Sequence, residues 1–426
     1  SSGRSSSIRR AMLSLAPWRP PDLPECSFRP ISRRCSSGPP SGRHSAARAA
    51  SALAAVVVPA AAAGSALVRR GRRARQPRRR GACAAVRLAA SSQSAGHVVL
   101  DAPPLGSAAE ELRAYARRLL LDGRLSSKLS LPPAGLERRL LEEEVASRND
   151  AAAGPPEHLD AIEEADILWP AREGPIRLHD GVKGGKEQLP KHKQILSSVS
   201  ARAACLQKFA HHELQAVELF AWALLRFPQA PLGLRLGLLR TLGEEQDHCR
   251  LYLERVEELT AGGAARVGPF GDPPLSAYIW NSLNAIRESP HPLNAFLCGI
   301  GLTFEAANLD HTLKHRDLFR QAGDEASAAV LQRVHDEEIR HVRLAMVWLR
   351  RLAKSVPDAS SPHLLGGRAD DADLYSAYAA FPPFELHKAR GRPAAAVEAR
   401  QRAGLSPRLI AEVLAAKQRH PPKAPR

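Results

Sequence analysis

The chain has 426 residues and a formal net charge of +17, and this charge lies almost entirely at one end. Residues 1–100 hold 18 Arg, no Lys and two acidic residues, whereas residues 101–426 hold 43 basic and 42 acidic residues. A body so close to neutral argues against a nucleic-acid-binding domain, which would carry a basic patch. The absence of any Cys-x-x-Cys pair argues against a rubredoxin-like module.

The first segment, residues 1–100, is rich in Arg, Ser, Ala and Pro and poor in acids. This composition is typical of transit peptides, so we predict a disordered or cleavable targeting leader for an organelle, with a plastid favoured over a mitochondrion. Within it, residues 49–68 are uncharged and Ala-rich. Their length would span a bilayer, but Ala is only weakly apolar. Part of a bipartite targeting signal is therefore favoured over a membrane anchor or a spacer.

The next segment, residues 101–195, combines helical and irregular stretches. Ala108 to Leu121 is predicted to form an amphipathic helix, and a second helix is predicted between Pro133 and Asn149. The remainder is rich in Gly, Pro and acids, which disfavours regular structure. We expect this segment to wrap the surface of the domain that follows.

Residues 196–355 are predicted to form an all-α core of four long helices. Pro-marked and Gly-marked turns divide the helices into two hairpins, and one long connection, residues 261–289, joins them. Two hairpins joined by a long crossover form the ferritin-like layout of a four-helix bundle. The tail, residues 356–426, adds shorter C-terminal helical segments. The expected elements are helices at about 198–227, 231–259, 292–321 and 324–355, a short helix near Tyr278, and tail helices at about 393–403 and 407–418.

Two stretches of this core nearly repeat each other as Glu-Glu-x-x-His-x-Arg-Leu, at residues 244–251 and 337–344. Each places a carboxylate and an imidazole three residues apart, so both side chains lie on one side of a helix. A Glu-x-x-His pair on each of two helices, together with one Glu from each of two others, is the ligand set of a two-metal carboxylate site. The repeat therefore proposes four ligands: Glu245, His248, Glu338 and His341.

The two remaining carboxylates are predicted from hairpin geometry. Glu213 and Glu245 lie about equally far from the turn near residue 229, and Glu305 and Glu338 lie about equally far from the turn near residue 322. Residues equidistant from a turn lie at the same height, here roughly 24 Å from it. Glu213 and Glu305 therefore complete the predicted set.

Two other acids compete for these positions. Glu218 and Asp310 each lie five residues after the favoured acid, roughly 7 Å nearer the turn. We prefer Glu213 and Glu305 because a Glu side chain does not easily span a full helical turn.

Four Glu and two His carry four negative charges, which two divalent cations would neutralise, and imidazole suits iron. Glu244 and Glu337, each four residues before a His, are candidates to hydrogen-bond the imidazoles, and a solvated charge is the alternative for both. The alternative for the six ligands is buried Glu–His or Glu–Arg pairing without metal. Ordinary structural roles are expected at the other candidates: His211, His212, His311, His315, His335, Cys205, Cys249, Cys298 and Tyr252.

The ligand pattern resembles that of ferritin-like di-iron carboxylate proteins: Glu213-Leu214-Gln215-Ala216, Glu245-x-x-His248, Glu305 and Glu338-x-x-His341. More closely, the chain resembles the ferritin-like group named domain of unknown function 455. The matching stretches are residues 210–218 and 336–342, with weaker support from 389–391 and 398–404. The resemblance implies a site for two iron ions, or for iron and manganese, and leaves the substrate open.

Three function hypotheses follow from these observations. The favoured one is a di-iron oxidoreductase, a hydroxylase or oxidase, that uses O2 or peroxide on a small-molecule or modified-nucleotide substrate and draws on an electron donor. The second is a ferritin-like protein that oxidises or handles iron, and the third is a structural bundle with a vestigial site. Phe220 stands where bacterial storage ferritins carry a Tyr, which disfavours storage. A homodimer is compatible with all three.

Overall fold

The structure, a computed structural model, describes residues 107–149, 169–181, 189–355, 369–391 and 396–417. The targeting leader predicted for residues 1–100, including the Ala-rich stretch at 49–68, lies outside the described residues. Within the described part, no helix is both long enough and apolar enough to cross a bilayer.

The described elements are nearly all helical, which confirms an all-α protein. The helices in chain order are α1 (Ala108–Leu121), α2 (Leu125–Lys128), α3 (Leu136–Asn149), α4 (His192–Ser197), α5 (Val199–Arg226), α6 (Leu232–Thr260), α7 (Tyr278–Asn281), α8 (Leu283–Arg287), α9 (Pro292–Phe296), α10 (Ala306–Gln321), α11 (Glu325–Ser355), α12 (Asp371–Ala379), α13 (Val397–Arg402) and α14 (Pro407–Ala415). A π-helical segment (Leu297–Glu305), three 3-10 turns (Gly174–Ile176, Ala261–Gly263 and Leu386–Lys388) and two strands (β1, Leu178–His179, and β2, Leu275–Ser276) complete them.

Helices α5 and α6 form the first long pair. Ser198 begins α5 by accepting a hydrogen bond on its side chain from the backbone N–H of Ala201, which satisfies one of the free donors at the helix start. Pro228 follows the end of α5, and Pro231 immediately precedes α6. Proline lacks a backbone N–H and disfavours helix at the residue before it, so the chain reverses direction here, as the sequence predicts.

The second long pair consists of α9, the π-helical segment and α10 on one side and α11 on the other. Gly323 has a φ of 74°, which glycine adopts without steric cost. Asp324 Oδ1 accepts a hydrogen bond from Ser327 N (3.1 Å) and so caps α11. The predicted Gly-then-Asp turn is confirmed.

The π-helical segment is a feature that the sequence analysis did not predict. Thr303 Oγ1 donates a hydrogen bond to the carbonyl oxygen of Cys298, five residues earlier (3.0 Å). The segment packs closely against its neighbours, since a Cβ atom at Gly299 would lie 2.7 Å from the ring of Phe384. π-helical turns occur mostly as short insertions within α-helices and are frequent at functional sites; this segment ends at Glu305.

The N-terminal helices pack against the first pair, α1 against α5 and α3 against α6. Strand β1 also pairs in parallel with β2, in register at Leu178 and Leu275. This strand pair ties residues 178–179 to the connection between α6 and α9.

In the tail, the sequence analysis expected two helices, and among the described residues the structure has a third. Helix α12 begins after Asp370, whose side chain accepts from Ala372 N (2.9 Å), while the Asp373 side chain accepts from Asp370 N (3.2 Å). The prediction was therefore incomplete. The sequence does carry this capping pattern, Asp370-x-x-Asp373, although with Asp in place of the usual Glu or Gln.

Two clusters of buried apolar side chains fill the interior. The first includes the end of α5, from Ala216, and the start of α6, to Leu242. The second includes the start of α5, to Leu214, and the later part of α6, from Cys249. Glu245 and His248 on α6 therefore fall between the two clusters, and Glu213 on α5 lies next to the boundary between them. Three cysteines, Cys205, Cys249 and Cys298, are free and buried, as predicted.

Candidate metal centre

All six predicted ligands come together in the interior. They form two groups of four residues, and within each group the potential ligand atoms all lie within 4.8 Å of one another. Glu245 and Glu338 belong to both groups. One group adds Glu213 and His248, and the other adds Glu305 and His341. Each group therefore offers three carboxylates and one imidazole, and two of the carboxylates belong to both groups.

Helices α6 and α11 each contribute one Glu-x-x-His pair to the site. His248 Nδ1 lies 3.3 Å from a Glu245 oxygen and 3.8 Å from a Glu338 oxygen. His341 Nδ1 lies 3.1 Å from Glu338 and 3.0 Å from Glu245. Both imidazoles thus direct Nδ1 toward the shared carboxylates, and the two rings are 5.8 Å apart.

The outer nitrogens of the imidazoles are bound by Glu337 and Glu244. His248 Nε2 donates to Glu337 Oε2 (2.9 Å), and His341 Nε2 donates to Glu244 Oε2 (2.8 Å). A carboxylate only accepts hydrogen bonds, so each Nε2 carries the proton, and in a neutral ring Nδ1 keeps a free lone pair. This is the tautomer that a metal ligand needs.

These hydrogen bonds cross between helices, which corrects the sequence-based expectation. The spacing suggested that each Glu would bond the His four residues later on its own helix. Instead, each Glu bonds the His of the opposite helix, because each imidazole extends across the α6–α11 interface toward the facing helix. Arg340 Nη2 donates to Glu244 Oε1 (2.7 Å). The alternative of a fully solvated charge does not describe Glu337, whose side chain is only 17% exposed.

The electrostatics of the cluster depend on burial and on the density of carboxylates. Burial and the neighbouring charges of Glu245 and Glu338 raise the pKa of Glu213 well above its usual range. Burial, Glu338 and Glu245 do the same for the pKa of Glu305. Without a cation, the charged forms of these two carboxyl groups are therefore disfavoured.

The imidazoles respond in the opposite sense to the same surroundings. Burial alone would lower the pKa of His248, but the carboxylates of Glu245 and Glu337 outweigh it and raise this pKa to about 10. The same holds at His341: burial alone would lower its pKa, but the charges of Glu245 and Glu338 outweigh burial and raise this pKa. The metal-free cluster thus holds protons in the places where cations would bind, and metal would displace them.

Several buried polar atoms in this cluster lack hydrogen bonds. Both carboxylate oxygens of Glu245 and Nδ1 of His248 have no partner with acceptable hydrogen-bond geometry, although charged atoms lie near them. A buried polar group without a hydrogen bond costs on the order of 1–3 kcal/mol. A cation held by these atoms would satisfy all three. The buried Glu and His groups could therefore hold a metal ion.

The rival acids are bound elsewhere. Glu218 forms ion pairs with Lys128 Nζ (2.9 Å) and Arg172 Nη2 (2.7 Å). Asp310 pairs with Arg400 Nη2 (2.8 Å) and accepts hydrogen bonds from two backbone N–H groups. Each is neutralised by its own partners, and neither belongs to the ligand groups.

The other candidate residues have ordinary structural contacts. His211 Nε2 lies 2.9 Å from the carbonyl oxygen of Ser276, and His315 Nδ1 lies 2.8 Å from that of His311. The thiol of Cys249 donates to the carbonyl oxygen of Ala210 (3.3 Å). Tyr252 packs with its ring 5.6 Å from that of Phe209.

One contact was not anticipated. Asn308 Nδ2 donates to Glu338 Oε1 (2.7 Å) and so fixes the orientation of a shared carboxylate. Its position three residues after Glu305, on the same side of the helix, was the available indication.

Comparisons with known proteins bear on this site. Searches of curated proteins and of solved structures return no match. The model of one family, described as "Protein of unknown function (DUF455)", matches residues 140–411, a stretch that contains all six residues of the cluster. This match spans well over half of the chain, and the chain therefore belongs to the DUF455 family.

Proposed function

We propose that the protein is a ferritin-like carboxylate oxidoreductase with two iron ions, or with one iron and one manganese, acting as a hydroxylase or oxidase. The observation that carries the proposal is the pair of adjacent ligand groups that share Glu245 and Glu338. The two long helix pairs and the connection between them agree with a ferritin-like four-helix bundle.

In this proposal Glu213 and His248 would help to hold one ion, Glu305 and His341 would help to hold the other, and Glu245 and Glu338 would contribute to both groups. Bound iron supplies the ability to react with O2 or peroxide. The protein residues perform the remaining tasks. Glu337 and Glu244 hold the imidazoles in the ligating tautomer, and Asn308 orients Glu338.

The two apolar clusters exclude water from both ends of the site. Of the six ligands, Glu213 and Glu305 are the most exposed, at 5% and 6%, whereas Glu245, His248 and Glu338 are at 0%. We infer that a small-molecule or modified-nucleotide substrate, and electrons from a donor, approach from the side of Glu213 and Glu305.

The first test is metal content and reactivity with O2. The full chain, loaded anaerobically with Fe(II), should retain about two ions per chain and change its optical spectrum on exposure to O2. The double variant His248→Ala/Glu338→Ala should lose at least one ion. If it binds as much metal as the parent, the proposed site is wrong. Continuous accumulation of ferric iron beyond two ions per chain would instead indicate an iron-handling protein.

We also propose that the leader, residues 1–100, directs the protein to an organelle. Its Arg-rich and acid-poor composition supports delivery to an organelle, with a plastid preferred. A fluorescent fusion of residues 1–100 should accumulate in plastids of a plant cell, and a uniformly cytosolic signal would contradict this assignment.

A further inference from the structure

A buried lysine near the start of α5 has no polar partner among the residues that the structure describes. Lys208 is only 6% exposed. Its Nζ atom is buried and makes no hydrogen bond. Lysine usually keeps its ammonium group in water while only the alkyl chain is buried, so complete burial without an anion is exceptional.

The surroundings of Lys208 explain its burial but supply no counter-charge. The connection after α6 covers this part of α5, where Gln207 Nε2 donates to the carbonyl oxygen of Gly268 (3.0 Å). Arg266 N in the same connection donates to Ser200 Oγ (2.8 Å). The connection therefore shields this stretch of the helix from water.

The titratable groups near Lys208 are basic. His212 lies four residues after Lys208, on the same side of α5. Burial lowers the pKa of Lys208, and no carboxylate among the described residues counters that shift. The contrast with Lys128 is informative, because Lys128 is also buried but has Glu218 at 2.9 Å.

We propose that Lys208, covered by the connection after α6 and flanked by His212, forms a binding site for a small oxyanion, a carboxylate or a phosphate. A buried ammonium ion needs an anion or must lose its proton, and an oxyanion accepts charge-assisted hydrogen bonds from it. Lys208 lies five residues before Glu213, about 7.5 Å along the helix axis. The anion site therefore borders the metal centre but shares no residue with it.

The test compares thermal unfolding of the full, metal-depleted chain in phosphate, acetate and chloride at equal ionic strength. Phosphate or acetate at about ten times its Kd should raise Tm by roughly 2–4 °C over chloride. The response to the two ions separates a phosphate site from a carboxylate site. Lys208→Met should abolish the shift and, by removing an unpaired buried charge, should raise Tm in chloride. Lys208→Gln is a second variant that also removes the shift.

The matched control is Lys193→Met, which removes the same charge from an exposed side chain and should keep the oxyanion shift. The proposal is wrong if neither oxyanion shifts the parent, or if Lys208→Met keeps the shift. Failure of the oxyanion site can be distinguished from failure of the metal site. Lys208→Met should bind as much metal as the parent, whereas Glu338→Ala should lose metal and keep the oxyanion shift.

Discussion

Two buried acids five residues apart on α5 should respond oppositely to the same substitution. Glu218 is fully buried between two cations, Lys128 and Arg172, whose side chains are also buried. Glu218→Gln would leave both cations facing a neutral amide. Breaking a buried ion pair costs about 3–5 kcal/mol. Lys128 limits the cost because its pKa is already lowered by burial and it can lose its proton, whereas Arg172 cannot.

We therefore expect Glu218→Gln to lower the free energy of unfolding by about 3 kcal/mol, which corresponds to a Tm decrease of roughly 6–12 °C. Its metal content should match that of the parent, because Glu218 belongs to neither ligand group.

Glu213→Gln should behave in the reverse manner. Burial and the charges of Glu245 and Glu338 raise the pKa of Glu213, which favours the neutral acid in the metal-free protein. A neutral amide of the same shape should then change the stability of the metal-free protein by less than about 1 kcal/mol. Metal affinity should fall by more than roughly 10–100-fold, which is the loss expected when a residue that only hydrogen-bonds a metal ligand is removed.

The assay pairs thermal unfolding of metal-depleted protein with metal analysis after dialysis against a weak chelator. Glu137→Gln, a change at a surface ion pair with Arg240, is the control for loss of an acidic charge and should alter neither quantity. The reasoning is refuted if Glu218→Gln loses metal while Glu213→Gln retains it, or if both variants lose stability equally.

Three further outcomes are expected. Glu337→Gln should weaken metal binding by about 10–100-fold, because it removes the acceptor that orients His248. Competition with a chelator measures this affinity. The control is Arg333→Gln, a change at the exposed partner of Glu337, and equal affinities of the two variants would contradict the prediction. Metal affinity should rise with pH at values below about 10 and fall as pH decreases. The metal-free site holds a proton on His248, whose pKa is raised to about 10, and burial disfavours the charged forms of Glu213 and Glu305. A pH-independent affinity in the same competition would oppose this. Deleting residues 1–95 should leave the circular dichroism per remaining residue and the metal content unchanged, and loss of cooperative unfolding would show that the body needs the leader.

The sequence predicted the long helices and the six clustered residues because those features are local or periodic. Helix boundaries at Ser198, Pro231 and Asp324 depend on capping groups and prolines that are visible in the chain. The spacing of Glu245 and His248 fixes their common face without any tertiary information. Hairpin symmetry then located Glu213, because equal distances from a turn give equal heights.

What the sequence did not predict depends on contacts between distant segments. The partner of His248 is Glu337, which lies 89 residues away on a facing helix. Helix spacing alone favoured Glu244, four residues before His248. The π-helical segment before Glu305 likewise depends on packing, since Thr303 also bonds Tyr375 in the tail (2.7 Å). The counter-ions of Glu218 come from segments that the sequence analysis placed only loosely.

The crossed hydrogen bonds have a consequence for how the site and the fold depend on each other. The first helix pair supplies His248, but a residue of the second pair, Glu337, orients it; the reverse holds for His341 and Glu244. Neither pair alone can hold its imidazole in the ligating tautomer. Two metals bound by shared carboxylates would join the same two helix pairs a second time. Metal binding should therefore stabilise the packing of one helix pair against the other more than it stabilises either pair internally. Hydrogen exchange at the α6–α11 contact should slow on metal loading more than exchange at the turn near residue 229, and equal slowing at both places would argue that the site does not link the two pairs.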